Sequence, residues 1–174
     1  MRILFPLAAV VLLAGCVPPG APPATQEVPA PVQRPVPARP TPVAPVADWR
    51  DLPRTPGDWQ YRGLGGGSAA TYGVRGAAPL ATLTCDRAAG QVTMLFATAR
   101  PVAGPVTIRT TSTQRSLNVR PMAGGVGVVL PASDRLLDAI GFSRGRFVVE
   151  GGPVGRLVLP AWAEVLRVTE DCRR

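Results

Sequence analysis

The chain has 174 residues, a formal charge of +8 and no histidine, and its cationic residues are all arginine. The missing histidine excludes a His-dependent catalytic triad and any His-containing metal site, and the missing lysine excludes Ser-Lys catalysis. The arginines are scattered singly, as at Arg87, Arg100, Arg109, Arg115 and Arg120, without the interleaved aromatics of a nucleic-acid stripe, so no nucleic-acid partner is expected.

In chain order, the first element is an export leader. Arg2 supplies a positive start, and Ile3–Leu13 is an uncharged apolar stretch of 11 residues. That length suits a signal-peptide core and is too short for a bilayer, which needs about 20 residues. The stretch ends in Leu13-Ala14-Gly15-Cys16, which resembles the lipobox of bacterial lipoproteins at every position. The resemblance implies cleavage before Cys16, a diacylglyceryl group on its sulfur and acylation of the new amino terminus. The partner is then a lipid bilayer, held through palmitate-type chains; each buried CH₂ contributes about 0.8 kcal/mol, and one chain alone binds only reversibly. Val17, rather than Asp, follows the cysteine, which in such lipoproteins leans toward the outer membrane, facing the periplasm. After loss of Arg2 the balance is 18 arginines against 11 carboxylates, a net +7, which favours anionic envelope polymers or head groups in a general way.

Residues 1–15 are thus read as the leader, 16–47 as the lipidated cysteine and a disordered tether, and 48–174 as the globular domain. Val17 to Ala47 holds 11 prolines in 31 residues. Proline fixes φ and lacks a donor, so polyproline II is expected, with a reach of about 95 Å.

From Asp48 the period changes. Alternation with period two predicts strands at Leu80–Cys85, Gln91–Phe96 and Val106–Thr111; Val126–Leu130, Arg146–Glu150 and Arg156–Leu159 are further short strand candidates, and Asp58–Arg62 and Ala70–Val74 are expected to add strands near the start. Glycine and proline turns separate them, and Gly63–Ser68 reads as a turn rather than a phosphate loop because the P-loop lysine is missing. Ser133 is expected to cap a helix over Asp134–Ile140, and Trp162, Val165, Leu166, Val168 and Cys172 predict a second, C-terminal helix. Leu-Pro-Ala occurs at 130–132 and again at 159–161, each time between strand and helix. The expected fold is mainly β: an antiparallel sandwich or small barrel with two short helices.

With Cys16 lipidated, Cys85 and Cys172 form an even pair, read as a structural disulfide in an oxidising compartment. The carboxylates Asp134 with Asp138, and Glu164 with Asp171, are read as solvated helix faces before a catalytic dyad. Trp49 and Trp59 are candidates to stack on sugar rings, and more simply pin the start of the domain to its core. Ser143-Arg144-Gly145-Arg146 is either an anion contact or a plain turn. The expected function is a non-catalytic envelope module that binds an envelope protein or peptidoglycan, with no enzymatic activity, cofactor or metal. Two alternatives are a carboxylate-dependent cell-wall hydrolase and a lysozyme inhibitor. For the second, Gly67–Tyr72 resembles the Ser-Gly-x-Ala-Arg-Tyr loop of the membrane-bound c-type lysozyme inhibitors and Thr84-Cys85-Asp86 their cysteine strand, although Thr71 replaces the arginine and the order is reversed. Beyond its leader the chain is similar to envelope lipoproteins of GC-rich proteobacteria, a resemblance that implies no activity and no site residues.

Overall fold

The structure, a computed structural model, describes residue 20 and residues 48–174. The predicted leader, Cys16 and, apart from Gly20, the proline-rich tether lie outside the described residues. Among the described residues no helix is long and apolar enough to cross a membrane.

Nine strands form one antiparallel sheet rolled into a half-barrel: β1 (Asp58–Leu64), β2 (Gly67–Gly73), β3 (Ala81–Asp86), β4 (Gln91–Phe96), β5 (Gly104–Arg109), β6 (Gln114–Met122), β7 (Gly125–Pro131), β8 (Arg146–Glu150) and β9 (Arg156–Pro160). Their order across the sheet is β1-β2-β3-β4-β7-β6-β5-β8-β9. Period-two alternation puts Leu83, Cys85, Val92, Met94, Phe96, Val106, Ile108, Phe147, Val149 and Leu159 into a common core. The mainly β, antiparallel fold with two helices expected from the sequence is therefore the one observed.

One strand was not foreseen. β6 presents only Leu117 and Val119 as apolar residues on its inner face, beside Arg115, and carries Pro121 near its end. Its alternation is therefore weak. β6 also changes neighbours along its length: residues up to Val119 pair with β5, and Arg120–Met122 pair with β7. Pro121 sits in that second, short stretch, near the strand's end, where a missing donor costs least.

The outer strands of the sheet come back toward each other. The Thr55 amide donates to the Val158 carbonyl of β9 (2.9 Å), and the Val158 amide donates to the Thr55 hydroxyl (2.9 Å). Trp59 of β1 donates from its indole nitrogen to the Pro160 carbonyl at 2.8 Å.

Helix α1 (Arg135–Gly141) follows β7, and α2 (Ala163–Cys172) follows β9, so each Leu-Pro-Ala triplet joins a strand to a helix. The cap of α1 corrects the sequence expectation. Asp134, not Ser133, is the N-cap and accepts from the Leu136 amide at 2.8 Å. Ser133 is exposed, one residue too early in the chain. On α2, Val165, Val168, Thr169 and Cys172 form the buried face, while Trp162 precedes the helix as its N-cap. The two helices meet closely at Gly141, where an added Cβ would press on the Leu166 side chain at 2.8 Å.

A disulfide ties α2 to the sheet. Cys85 of β3 and Cys172 of α2 are bonded, with their Cα atoms 5.4 Å apart. Gly67 on the neighbouring strand makes room for it, because a Cβ there would overlap the Cys85 carbonyl and lie 3.1 Å from its sulfur. Beside the bridge, Tyr61 donates to the Asp171 carboxylate at 2.6 Å, and Arg167 stacks over the Tyr61 ring at 4.1 Å. The Ser68 hydroxyl is buried in this cluster, beside the Asp171 carboxylate.

These buried or bridged carboxylates set the acid stability. The Tyr61 hydrogen bond holds the Asp171 carboxyl below its usual range, and the Arg115 fork does the same for Asp134. Both groups therefore titrate lower in the folded chain than in the unfolded one, where the value is 3.8. Their stabilisation is complete above that pH and is lost as pH falls below it through the depressed folded values. Urea denaturation at pH 7 and pH 3 will show the loss. Asp134→Asn keeps a capping side chain but removes the titrating group, and will narrow the difference; an unchanged difference would refute the assignment.

Candidate anion-binding site

The β5–β6 turn is rich in hydroxyl groups and is held from two sides. Within the turn, the Thr110 hydroxyl accepts from the amides of Ser112 (3.3 Å) and Thr113 (3.0 Å). From outside, buried Ser143 in the loop between α1 and β8 accepts from the Thr111 amide at 3.1 Å and donates to the Arg146 carbonyl at 2.6 Å. The Arg144 amide donates to the Thr111 hydroxyl at 3.3 Å. Two loops are thereby fixed to each other through backbone groups. Ser112 is left exposed at the tip and Thr111 half-buried beside it.

A depression of about 440 Å³ opens between these loops and the segment that leads into the domain, lined by Arg50, Thr111, Ser112, Phe142 and Arg144. Arg50 belongs to a short 3-10 turn, Trp49–Asp51, capped by Asp48. The Asp48 carboxylate binds the Arg50 guanidinium at 3.0 Å and accepts from its amide, the bond that chiefly lowers the Asp48 pKa. Arg144 is exposed and has no acidic partner within ion-pair distance among the described residues. Phe142, the C-cap of α1, is 69% exposed. A guanidinium fork, hydroxyl donors and an exposed ring make a site suited to an oxyanion carried on a partly apolar ligand.

The other residues singled out in the sequence are not brought to this depression. Asp134 is forked onto Arg115 at 2.8 and 2.9 Å, and Asp138 onto Arg173 at 2.7 and 3.1 Å. The Asp138 bond is what chiefly raises the Arg173 pKa. Asp171 is engaged with Tyr61, and Glu164 lies half-buried in the first turn of α2. Among the described residues, no three acidic or cysteine side chains gather as metal ligands.

Trp59 is buried, tilted against Tyr72 at 5.1 Å between ring centroids, and so pins the start of the domain to its core. Burial also raises the Tyr72 pKa. Trp49 is half-buried, with the Arg50 guanidinium over its ring. Gly65 and Gly66 form the two-residue turn between β1 and β2. The segment Gly67–Tyr72 is strand β2, with Ser68, Ala69, Ala70 and Tyr72 buried rather than displayed as a loop.

Ser143-Arg144-Gly145-Arg146 divides its roles. Ser143 fixes the loop, Arg144 lines the depression, and Arg146 turns away to donate to the Leu52 carbonyl. Thr111, Ser112 and Phe142 were not anticipated. The run Thr110-Thr111-Ser112-Thr113 is the one signal in the sequence, and a cluster of hydroxyl residues of this kind by itself points to no more than a turn.

No protein-family model, no curated protein and no solved structure matches this chain.

Proposed function

We propose that this chain is a non-catalytic envelope lipoprotein that binds an anionic envelope component. In this reading Cys16 carries the lipid, residues 17–47 act as a spacer, and the domain meets its ligand at the depression of Arg50, Thr111, Ser112, Phe142 and Arg144. One observation carries the proposal: Arg50 and Arg144 line one depression together with Thr111 and Ser112, and Arg144 has no acidic partner among the described residues. The two loops that carry Thr111 and Arg144 are already hydrogen-bonded to each other, which lowers the cost of ordering the backbone there on binding. Two further features support it. Of the four carboxylates offered for hydrolysis, three, Asp134, Asp138 and Asp171, serve as structural partners of Arg115, Arg173 and Tyr61, and Glu164 is the exception. The disulfide suits an oxidising compartment outside the cytosol.

The test places a photo-crosslinking residue at Ser112 in the full chain expressed in its own envelope, with Val74, an exposed position lining neither this depression nor the one beside it, as control. Adducts formed from Ser112, absent from Val74 and lost in Arg144→Ala, support the reading. Equal labelling at the two positions, or labelling indifferent to Arg144, overturns it. Mass spectrometry of the mature protein is expected to show diacylglyceryl on Cys16; an unmodified thiol there overturns the anchoring.

A further inference from the structure

The depression that holds Arg144 has a neighbour. A second one, of about 310 Å³, is lined by Ser112, Thr113, Arg115, Arg135, Leu136 and Ala139, so that Ser112 belongs to both. The charges follow the same pattern in each. In the first, Arg50 is compensated by Asp48 and Arg144 is not. In the second, Arg115 is compensated by Asp134, while exposed Arg135 has no acidic partner among the described residues. Each depression therefore offers one exposed guanidinium without an ion-pair partner among the described residues, and Ser112 lines both.

Apolar surface accompanies both: the exposed Phe142 ring in the first and half-buried Ala139 in the second. A single small anion would occupy one depression and leave the other unmatched. A dense layer of phosphate head groups would meet the exposed Asp48 carboxylate paired with Arg50 as well as the arginines. The pattern instead suits an extended ligand with two separated single charges and an uncharged, hydroxyl- or amide-bearing stretch between them.

We propose that this surface binds a glycan bearing short side groups that end in carboxylates. One carboxylate lies on Arg144 and one on Arg135, with the sugar and amide portion crossing Ser112 and touching the Phe142 ring. The inference rests on the reading of the first depression as an anion site. Planar guanidinium forks match carboxylates bidentately, and hydroxyls such as those of Thr111, Ser112 and Thr113 suit sugar and amide groups.

The experiment is calorimetry on the full-length protein in a non-ionic detergent. Three probes are titrated: disaccharide-peptide fragments released from cell-wall sacculi, the same fragments with their carboxylates methyl-esterified, and inorganic phosphate. The free-acid fragment is expected to bind, and esterification to weaken it about tenfold or more, the scale of losing a charge-assisted contact. Arg144→Ala and Arg135→Ala should each cost about tenfold, and Arg100→Ala, at a position lining neither depression, nothing. Equal binding of esterified and free fragments overturns the carboxylate assignment. Phosphate binding that depends on Arg144, with no fragment binding, overturns the glycan while sparing the anion site. Failure of every probe, phosphate included, removes both. The esterified probe leaves the protein unaltered, so the outcome does not hinge on how well a variant folds.

Discussion

Reduction of the Cys85–Cys172 bridge will lower the melting temperature by roughly 15 °C, corresponding to about 4 kcal/mol for a domain of this size. The magnitude follows from the length of chain enclosed. The two cysteines are 87 residues apart, and cross-linking so long a loop strongly restricts the unfolded ensemble. The folded structure adds its own reason. The bridge holds the last turn of α2 against β3, beside the Tyr61–Asp171 bond and the buried Ser68 hydroxyl. Without it, the end of α2 is retained by Arg173, which donates to the Ala132 carbonyl at 2.7 Å and pairs with Asp138, and by Arg87, which donates to the Asp171 carbonyl. The paired variant Cys85→Ser/Cys172→Ser should melt like the reduced protein. Scanning calorimetry with and without reductant is the measurement. A melting temperature that does not respond to reductant would show that the bridge braces nothing the remaining contacts do not already hold.

Trp59→Ala is expected to cost about 3–5 kcal/mol, the scale of removing a large buried aromatic. This indole does two jobs. Its ring fills the core against Tyr72, and its nitrogen bonds the Pro160 carbonyl of β9 across 101 residues of sequence. Trp59→Phe separates the two. It keeps most of the ring and leaves the Pro160 carbonyl without its indole donor, which should cost about 1–3 kcal/mol. Urea denaturation of both variants gives the comparison. If Trp59→Phe were neutral, the edge-to-edge hydrogen bond would carry no weight and the indole would be plain filling. If both variants cost the same, the hydrogen bond would be the whole effect.

Much of this molecule was legible in its residues. Eight of the nine strands were foreseen; in β3, β4 and β5 the signal was alternation, because an apolar residue at every second position has to face a core, whereas β2 and β8 bury successive residues and read only as short apolar runs between turns. Counting cysteines gave the Cys85–Cys172 pair, since only two remain when Cys16 is set aside. β6 escaped because its inner face reads Arg115, Leu117, Val119, and the arginine there is made tolerable by Asp134, a residue from another element. The cap of α1 was misplaced by one residue for a related reason. Asp134 serves both the helix and Arg115, and only the folded chain shows that double use. The candidate site was the least legible part. Arg50, the turn at Thr111 and Ser112, and the loop at Phe142 and Arg144 come from three separate stretches of chain. None of them carries a motif alone, and their meeting depends on Ser143, a buried hydroxyl that local pattern cannot assign to a distant amide.

The way the sheet's outer strands meet also governs when the molecule can finish forming. Thr55 waits for Val158, Trp59 for Pro160, Tyr61 for Asp171 and Cys85 for Cys172, so the opening strands, although paired to near neighbours, complete their contacts only when residues 158–172 are in place. Contacts so distant in sequence make for slow assembly. Until its tail arrives, the polypeptide has an unfinished β1 flank with apolar side chains uncovered. That unfinished interval is when it most needs protection from clumping, and a truncation of only the final helix would prolong it indefinitely.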